Sequence, residues 1–500
     1  MDLRNKTIQA VKWNFLSTAL GTVIGIVQLW ALSRILPTHE YGVMGAAFIV
    51  IQFFNIFIDF GISSSIVRSK TVTELELSSL YAISVALGVV NFIIAFGLSP
   101  WIGEFFKSEE VVVQVRIMAF TFLLAAFGQQ QRAILVREMR FNLISIVAVI
   151  TLVVNFVSII VLALIFRKAW VASVAALLGT AVSCGIFFVQ GLRERKLSFT
   201  FDWPSARPHL RYAISLVGDS LINVVSVNTF PVLMARMVSM TAIGGYNIAN
   251  GISINLIERL KPVLTQALFP AFAKIQDDGE KLARNFLLVT TFGSLVNFPL
   301  LVGTFITSSA ILSCFFKPEW AFVADLVKVL CLAGMFRSLD PPVISLLLVK
   351  AKMYLNVRLG IPKLVLGIAL ATWLGTRFGI HGIVSSFLVV QAANTIVGYF
   401  VMVRSCLPGI GLAYLKSVLM PLAQTLPIAV VAGLLTVFPP TAYPVVNLGL
   451  AVAGGALGYV AGLWFSPFAT VREFLQLGLR NVSPRLARMA EHHAGANSER

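Results

Sequence analysis

Fourteen apolar stretches run along this chain, each long enough to cross a bilayer. They fall at residues 13–35, 42–67, 78–99, 111–134, 142–166, 170–192, 210–237, 244–271, 286–305, 322–349, 357–376, 380–403, 419–438 and 444–465. One helical crossing needs about 20 mostly apolar residues. In lipid the backbone must satisfy its own polar groups, and runs of this length do so as helices. The connections are mostly short, so no separate soluble catalytic domain fits. The predicted fold class is therefore an all-α integral membrane protein with fourteen transmembrane helices. Only 12% of residues are charged, against roughly 25% in soluble domains. Seven of the eight tryptophans fall near predicted span ends, where amphipathic rings meet the headgroup layer. The first apolar run is too long for the core of a signal peptide and is read as the first span.

The formal charge of +17 has a membrane explanation before a nucleic-acid one. With the amino terminus in the cytoplasm, the even loops and the tail collect most of the Lys and Arg. Arg137, Arg140, Arg193, Arg195, Lys274, Lys350 and Lys352 are among them. The opposite loops hold far fewer. The positive-inside rule then places both termini in the cytoplasm and predicts no nucleic-acid partner. The tail after Phe465 is expected to begin as an interfacial helix and then fray.

The chain also repeats itself at a spacing of about 200 to 213 residues. Arg34 pairs with Arg236, Gly42 with Gly244, and Phe105-Phe106-Lys107 with Phe315-Phe316-Lys317. Leu135-Val136-Arg137 pairs with Leu348-Val349-Lys350, and Arg167 with Arg377. The repeat unit is six spans, so both copies enter the membrane in the same direction. This parallel arrangement suits two pseudo-symmetric lobes with substrate between them near the midplane. The expected division is an N-lobe over residues 1–200 and a C-lobe over 201–410. Two extra helices follow over 411–466, then a basic tail over 467–500. In the last span, Gly454, Gly458 and Gly462 form a small-residue stripe, read as a close-packing surface.

The runs Leu32-Ser33-Arg34-Ile35-Leu36, Glu40-Tyr41-Gly42 and Asp59-Phe60-Gly61-Ile62-Ser63-Ser64 carry a resemblance. So do Gly244-Gly245-Tyr246-Asn247-Ile248-Ala249 and Leu268-Phe269-Pro270-Ala271-Phe272 in the second copy. The sequence resembles the polysaccharide exporters, oligosaccharide-lipid flippases of the multidrug/oligosaccharidyl-lipid/polysaccharide superfamily. Its branch resembles the colanic acid and teichuronic acid exporters. The resemblance implies two lobes around a central cavity in a bacterial inner membrane. The implied cargo is a repeat-unit oligosaccharide on a polyprenyl pyrophosphate. Membrane lipid and downstream polymerising or exporting machinery are the other implied partners. Relatives often carry an acidic residue shortly before the Arg of the seventh span. Residues 223–236 contain none, so no ion-coupling role is carried over to that position.

Ionisable residues at membrane depth are costly and by default mark function. The densest group is Glu258, Arg259 and Lys261, about halfway along the eighth span. Glu258 and Lys261 are three apart and share a helix face. The repeat makes Asp59 the counterpart of Lys261. Two readings of Asp59 stand: it pairs across the cavity with Lys261, or it orders the Asp-Phe-Gly turn. Arg337 and Asp340 precede Pro341-Pro342, a helix break read either as a moving part or as a simple kink. Asp219 is read either as a proton carrier or, near the inner boundary, as an acid that pairs or faces a cavity mouth. Arg34 and Arg236 are symmetric on the outer face, placed to hold a phosphate or sugar at release or to stabilise helix ends. Asn247, Asn250 and Asn255, near Arg259, supply amides suited to sugar hydroxyls.

No phosphate loop, dinucleotide fingerprint, His-Glu-x-x-His or nucleophile elbow occurs. The four Cys show no metal-ligand spacing. Neither metal nor cofactor is expected, and the chain is read as a transporter rather than an enzyme. Two other readings remain: a drug or cation antiporter of the same superfamily, and a membrane glycosyltransferase or polymerase.

Overall fold

The computed structural model describes residues 3–69, 72–194, 201–258, 268, 272–464 and 466. These are helical almost throughout. Ten helical segments among them are long and apolar enough to cross a membrane. Leu20–Ile35 and Val224–Met237 add two shorter apolar helices. The chain forms two compact units, Met1–Asn247 and Ile248–Arg500. The predicted tail helix lies outside the described residues.

The first unit contains α1 (Leu3–Ile35), α2 (Thr38–Asp59), α3 (Ile62–Arg68), α4 (Glu74–Phe106) and α5 (Glu109–Arg137). It continues with α6 (Phe141–Phe166), α7 (Trp170–Glu194), α8 (Trp203–Met237) and the start of α9 (Met240–Ile252). The predicted second span is thus two helices. The break is built by Phe60 and Gly61, both left-handed at φ 47° and 76°. Gly61 suits this backbone because it has no Cβ, and a Cβ there would lie 3.0 Å from Ala213 of α8. Helix starts follow familiar chemistry. The Thr73 hydroxyl accepts from Glu76 N–H at 3.2 Å, while Thr73 N–H donates to the Glu76 carboxylate at 2.7 Å, a reciprocal capping box.

One core of this unit packs α2, α4 and α5 through Ala47, Ile51, Ile58, Ala95, Met118 and Phe122. A second joins α3, α4 and α5 to the start of α8 through Ile62, Leu80, Ile134 and Ala206. Three hydrogen bonds fasten α8 along its length. Ser65 and buried His209 share a 2.6 Å hydrogen bond. Asn228 donates to Gln52 at 3.1 Å, and Arg236 donates to the Phe105 carbonyl at 3.2 Å. The repeat boundary near residue 200 and the boundary between compact units therefore fall at different places. Along α6 the exposed Val153, Val157, Val161, Leu164 and Ile165 form the apolar exterior that lipid requires.

The second unit begins with the remainder of α9 and α10 (Ile254–Glu258). It continues with α11 (Gly279–Phe315), α12 (Val323–Arg337), α13 (Asp340–Val349) and α14 (Tyr354–Gly398). Gly379 sits inside α14 with non-helical φ 58°, ψ −135°, between the predicted eleventh and twelfth spans. A π-turn at Tyr399–Val403 and a short turn at Arg404–Cys406 lead to α15 (Gly411–Ala423), α16 (Leu426–Val437) and α17 (Pro444–Trp464). The last three helices pack on α11. Tyr459 donates to the Leu295 carbonyl at 2.5 Å. The glycine stripe is the expected packing surface: a Cβ at Gly462 would lie 2.8 Å from Pro427, and one at Gly454 2.9 Å from Leu435.

Candidate functional site

Two of the charges singled out from the sequence meet within the second unit. Arg337 Nε donates to Glu258 Oε1 at 2.6 Å, joining the end of α12 to the end of α10. Both side chains are about three-quarters buried, with relative exposures of 23% and 29%. The approach is close because Gly334, one turn before Arg337, lies against Leu301 and Ile257. Just beyond, Ser338 N–H donates to the Gly334 carbonyl at 2.8 Å and Leu339 N–H to Phe336 at 3.2 Å. Asp340, Pro341 and Pro342 then form the first turn of α13. Proline fits there because first-turn donors have no helical partner to lose.

Asn250 and Asn255 also come together. Asn250 Nδ2 donates to Asn255 Oδ1 at 3.1 Å, spanning the break between α9 and α10, where Ser253 donates to the Ala249 carbonyl. Asn247 does something different: it packs on α2, where a Cβ at Gly45 would lie 2.3 Å from its amide. Arg259 and Lys261 lie outside the described residues. Asp219 lies on α8, and its side chain is outside the described residues.

Asp59 is engaged at the α2–α3 break. One of its oxygens accepts from Ser63 N–H at 3.1 Å and from Ser63 Oγ at 2.5 Å. This geometry is that of the turn-ordering reading. The outer-face arginines rest on aromatic rings. Arg34 lies 5.8 Å from the Trp30 ring centre on its own helix. Arg236 reaches across to Phe105 of α4 at 5.7 Å, besides its bond to the Phe105 carbonyl.

Sequence reading missed Arg132. It lies on α5, exposed, inside the predicted fourth span and at the end of the run Gln129-Gln130-Gln131. It is within electrostatic reach of Asp59 on α2 and Cys184 on α7. Among the described residues it forms no hydrogen bond or ion pair. The signal was available as one of two arginines in that span, the one nearer its cytoplasmic end. Sequence reading also passed over a clamp at the other end of the unit. Buried Glu40 accepts from Ala169 N–H at 2.7 Å and from Lys168 Nζ at 2.8 Å. The Glu40 hydrogen bond, followed by the attraction of its charge, raises the pKa of Lys168. Among the described residues, no group of three His, Cys, Asp or Glu is placed to hold a metal ion.

The helical fold has known counterparts among membrane proteins of solved structure. Its backbone is similar to the inward-closed lipid II flippase MurJ, with TM-score 0.72 and 13% identity over 90% of this chain and 98% of that one. The polysaccharide biosynthesis protein model matches residues 31–325. The lipopolysaccharide biosynthesis protein WzxC of Escherichia coli (strain K12) is 32% identical, covering 86% of this chain and 88% of that one. The teichuronic acid biosynthesis protein TuaB of Bacillus subtilis (strain 168) is 27% identical, covering 92% and 95%. This chain belongs to the polysaccharide biosynthesis protein family, and it is a multi-pass membrane protein of that family.

Proposed function

We propose that this protein is a flippase for polyprenyl-diphosphate-linked oligosaccharide repeat units. It moves them from the inner to the outer leaflet of a bacterial inner membrane by alternating access. The observation that carries the reading is the conjunction of a polysaccharide biosynthesis sequence with the fold of a lipid II flippase. Fourteen crossings are part of this reading, and the length of one described segment supports it. The apolar segment Tyr354–Cys406 has 53 residues, roughly 80 Å of helix at 1.5 Å per residue. That is far more than the roughly 30 Å of a hydrocarbon core, and the break at Gly379 supports two spans there. The distribution of Lys and Arg supports cytoplasmic termini.

The cargo's diphosphate needs cations in a desolvated setting, and its sugars need amides. We assign these roles to Arg259 and Lys261 and to the Asn250–Asn255 pair. Arg34 and Arg236 act at release, and the Glu258–Arg337 pair beside Asp340 acts in gating. Asp59 and Asp219 are the coupling candidates of the first unit.

The deciding experiment depletes the protein in cells with the downstream pathway intact. Complete lipid-linked repeat units are then quantified and assigned to a leaflet. Complete units accumulating on the cytoplasmic face are expected. Truncated units would indicate a synthetic enzyme instead. Unchanged lipid-linked sugars with new sensitivity to toxic cations would indicate an antiporter.

A further inference from the structure

Two arginines on α5 differ in the face they occupy. Val113, Phe120 and Phe127 are exposed at seven-residue spacing and mark the lipid-facing stripe of this helix. At about 100° per residue, Arg116 lies about 40° from Phe120, on that stripe. Its guanidinium is accounted for: Nε donates to Ser99 Oγ at 3.0 Å, and the group lies 5.2 Å from the Phe96 ring centre. Arg132 lies about 140° from Phe127 and about 120° from Phe120, well away from the stripe. It is nevertheless exposed. It therefore does not reach lipid headgroups along the stripe, which is the ordinary fate of an arginine near a span end.

Its setting keeps the charge available. Asp59, the acid whose charge it feels, already accepts two hydrogen bonds from Ser63. One turn before Arg132, α5 and α7 cross closely, for a Cβ at Gly128 would lie 2.7 Å from the Cys184 backbone. This contact fixes the helix that carries the guanidinium. Gln129, half-exposed and three residues earlier, also makes no hydrogen bond among the described residues. A planar five-donor cation and a free amide thus share one side of α5 about a turn apart. That set suits a diphosphate ester carrying a sugar, with the fork on phosphate oxygens and the amide on a hydroxyl.

We propose that Arg132, with Gln129 beside it, is a diphosphate-binding residue of the first unit. The proposal rests on the flippase reading and adds to it a subsite that the repeat and the clustered charges of the second unit do not contain.

The test uses the full chain in nanodiscs, titrated separately with polyprenyl diphosphate and with phosphatidylglycerol, and read by native mass spectrometry. R132Q is expected to weaken polyprenyl diphosphate binding by about tenfold or more, the usual worth of a hydrogen bond to a charged group. R132K, which keeps charge but loses the fork, is expected to weaken it by about threefold. Phosphatidylglycerol binding stays unchanged in both, and R116Q binds polyprenyl diphosphate as the wild type does. Thermal unfolding in the same nanodiscs identifies folded variants, and R132K carries the test if R132Q does not fold. Wild-type affinity in the folded Arg132 variants would overturn the proposal while leaving the flippase reading standing. An equal loss for phosphatidylglycerol would also overturn it, by making Arg132 a general headgroup contact. A wild-type chain that binds no polyprenyl diphosphate would overturn both readings.

Discussion

Each compact unit carries an arginine within a predicted span and an acid near it, and the two units use the acid differently. In the second unit Glu258 meets Arg337 at 2.6 Å, so the cation is neutralised where it stands. In the first unit Asp59 bonds Ser63 at the α2–α3 break, and Arg132 keeps its guanidinium clear of any described partner. An acid and a base at membrane depth are thus not automatically a pair. Local backbone geometry decides, because an acid one residue before a left-handed turn has donors closer to hand than the next helix. The closed pair holds two helices together, and the open cation is left for a ligand.

The largest expected effect tests the closed pair. Glu258→Gln removes the carboxylate that Arg337, about three-quarters buried, meets at 2.6 Å. Removing one partner of such a pair is expected to cost about 3 kcal/mol, at the low end for buried pairs because both side chains retain some solvent. The double variant Glu258→Gln, Arg337→Gln is expected to recover most of that loss in detergent unfolding. Arg132→Gln, by contrast, is expected to change stability by no more than about 0.5 kcal/mol. If Arg132→Gln proves as destabilising as Glu258→Gln, the contrast between the two arginines is broken.

Next in size is the turn that engages Asp59. Gly61 has φ 76°, and a Cβ there would meet Ala213 of α8 at 3.0 Å. Gly61→Ala is expected to cost about 2 kcal/mol through backbone strain and crowding. A loss under about 0.5 kcal/mol would mean that the break relaxes freely and does not set the direction of Asp59.

How much of this was legible beforehand differs by feature. Spans are local: twenty apolar residues in a row reveal themselves, and so does a break at Pro341-Pro342. The glycine stripe of α17 was equally readable, because four-residue spacing alone puts three small residues on one face. Glu258 and Arg337 were both visible as misplaced charges. Their union was not, since they are 79 residues apart and only the packing around Gly334 brings them together. Arg132 was overlooked because it falls near the end of an apolar run, where a cation reads as a boundary. Only the exposed stripe of α5 shows that it faces elsewhere. The allegiance of α8 was hidden for a related reason. Its match to α1 in the repeat records corresponding residues, whereas its place beside α2, α3 and α4 depends on His209, Asn228 and Arg236.

Ser63→Ala sharpens the comparison more directly. It removes the shorter of the two bonds to Asp59 and leaves the backbone donor. The expected stability loss is about 1.5 kcal/mol, as for a hydrogen bond to a charged acceptor. The carboxylate is then free to turn toward Arg132, so polyprenyl diphosphate binding is expected to weaken severalfold. Unchanged binding in a destabilised Ser63→Ala chain would show that Ser63 is not what keeps the acid from the cation.

The smallest effects test the same rule at the outer clamp, where an acid has both a backbone donor and a cation. Glu40→Gln keeps an acceptor for Ala169 N–H but loses the charge, and is expected to cost about 1 kcal/mol. Lys168→Met leaves the backbone bond intact and removes a partner whose side chain is 57% exposed. Exposed pairs contribute little and are screened by salt, so its melting temperature at neutral pH should match the wild type within error. The sign of any pH dependence follows from the raised Lys168 pKa. Stability from the pair is fully present below the ordinary lysine value of 10.5 and is lost as pH rises through the higher folded value. The difference between Lys168→Met and wild type should therefore be flat from about pH 6 to 9 and change only in strong alkali. A Lys168→Met loss as large as that of Glu40→Gln would place the cation, rather than the backbone donor, at the centre of the clamp. The first unit would then use its acids as the second one does.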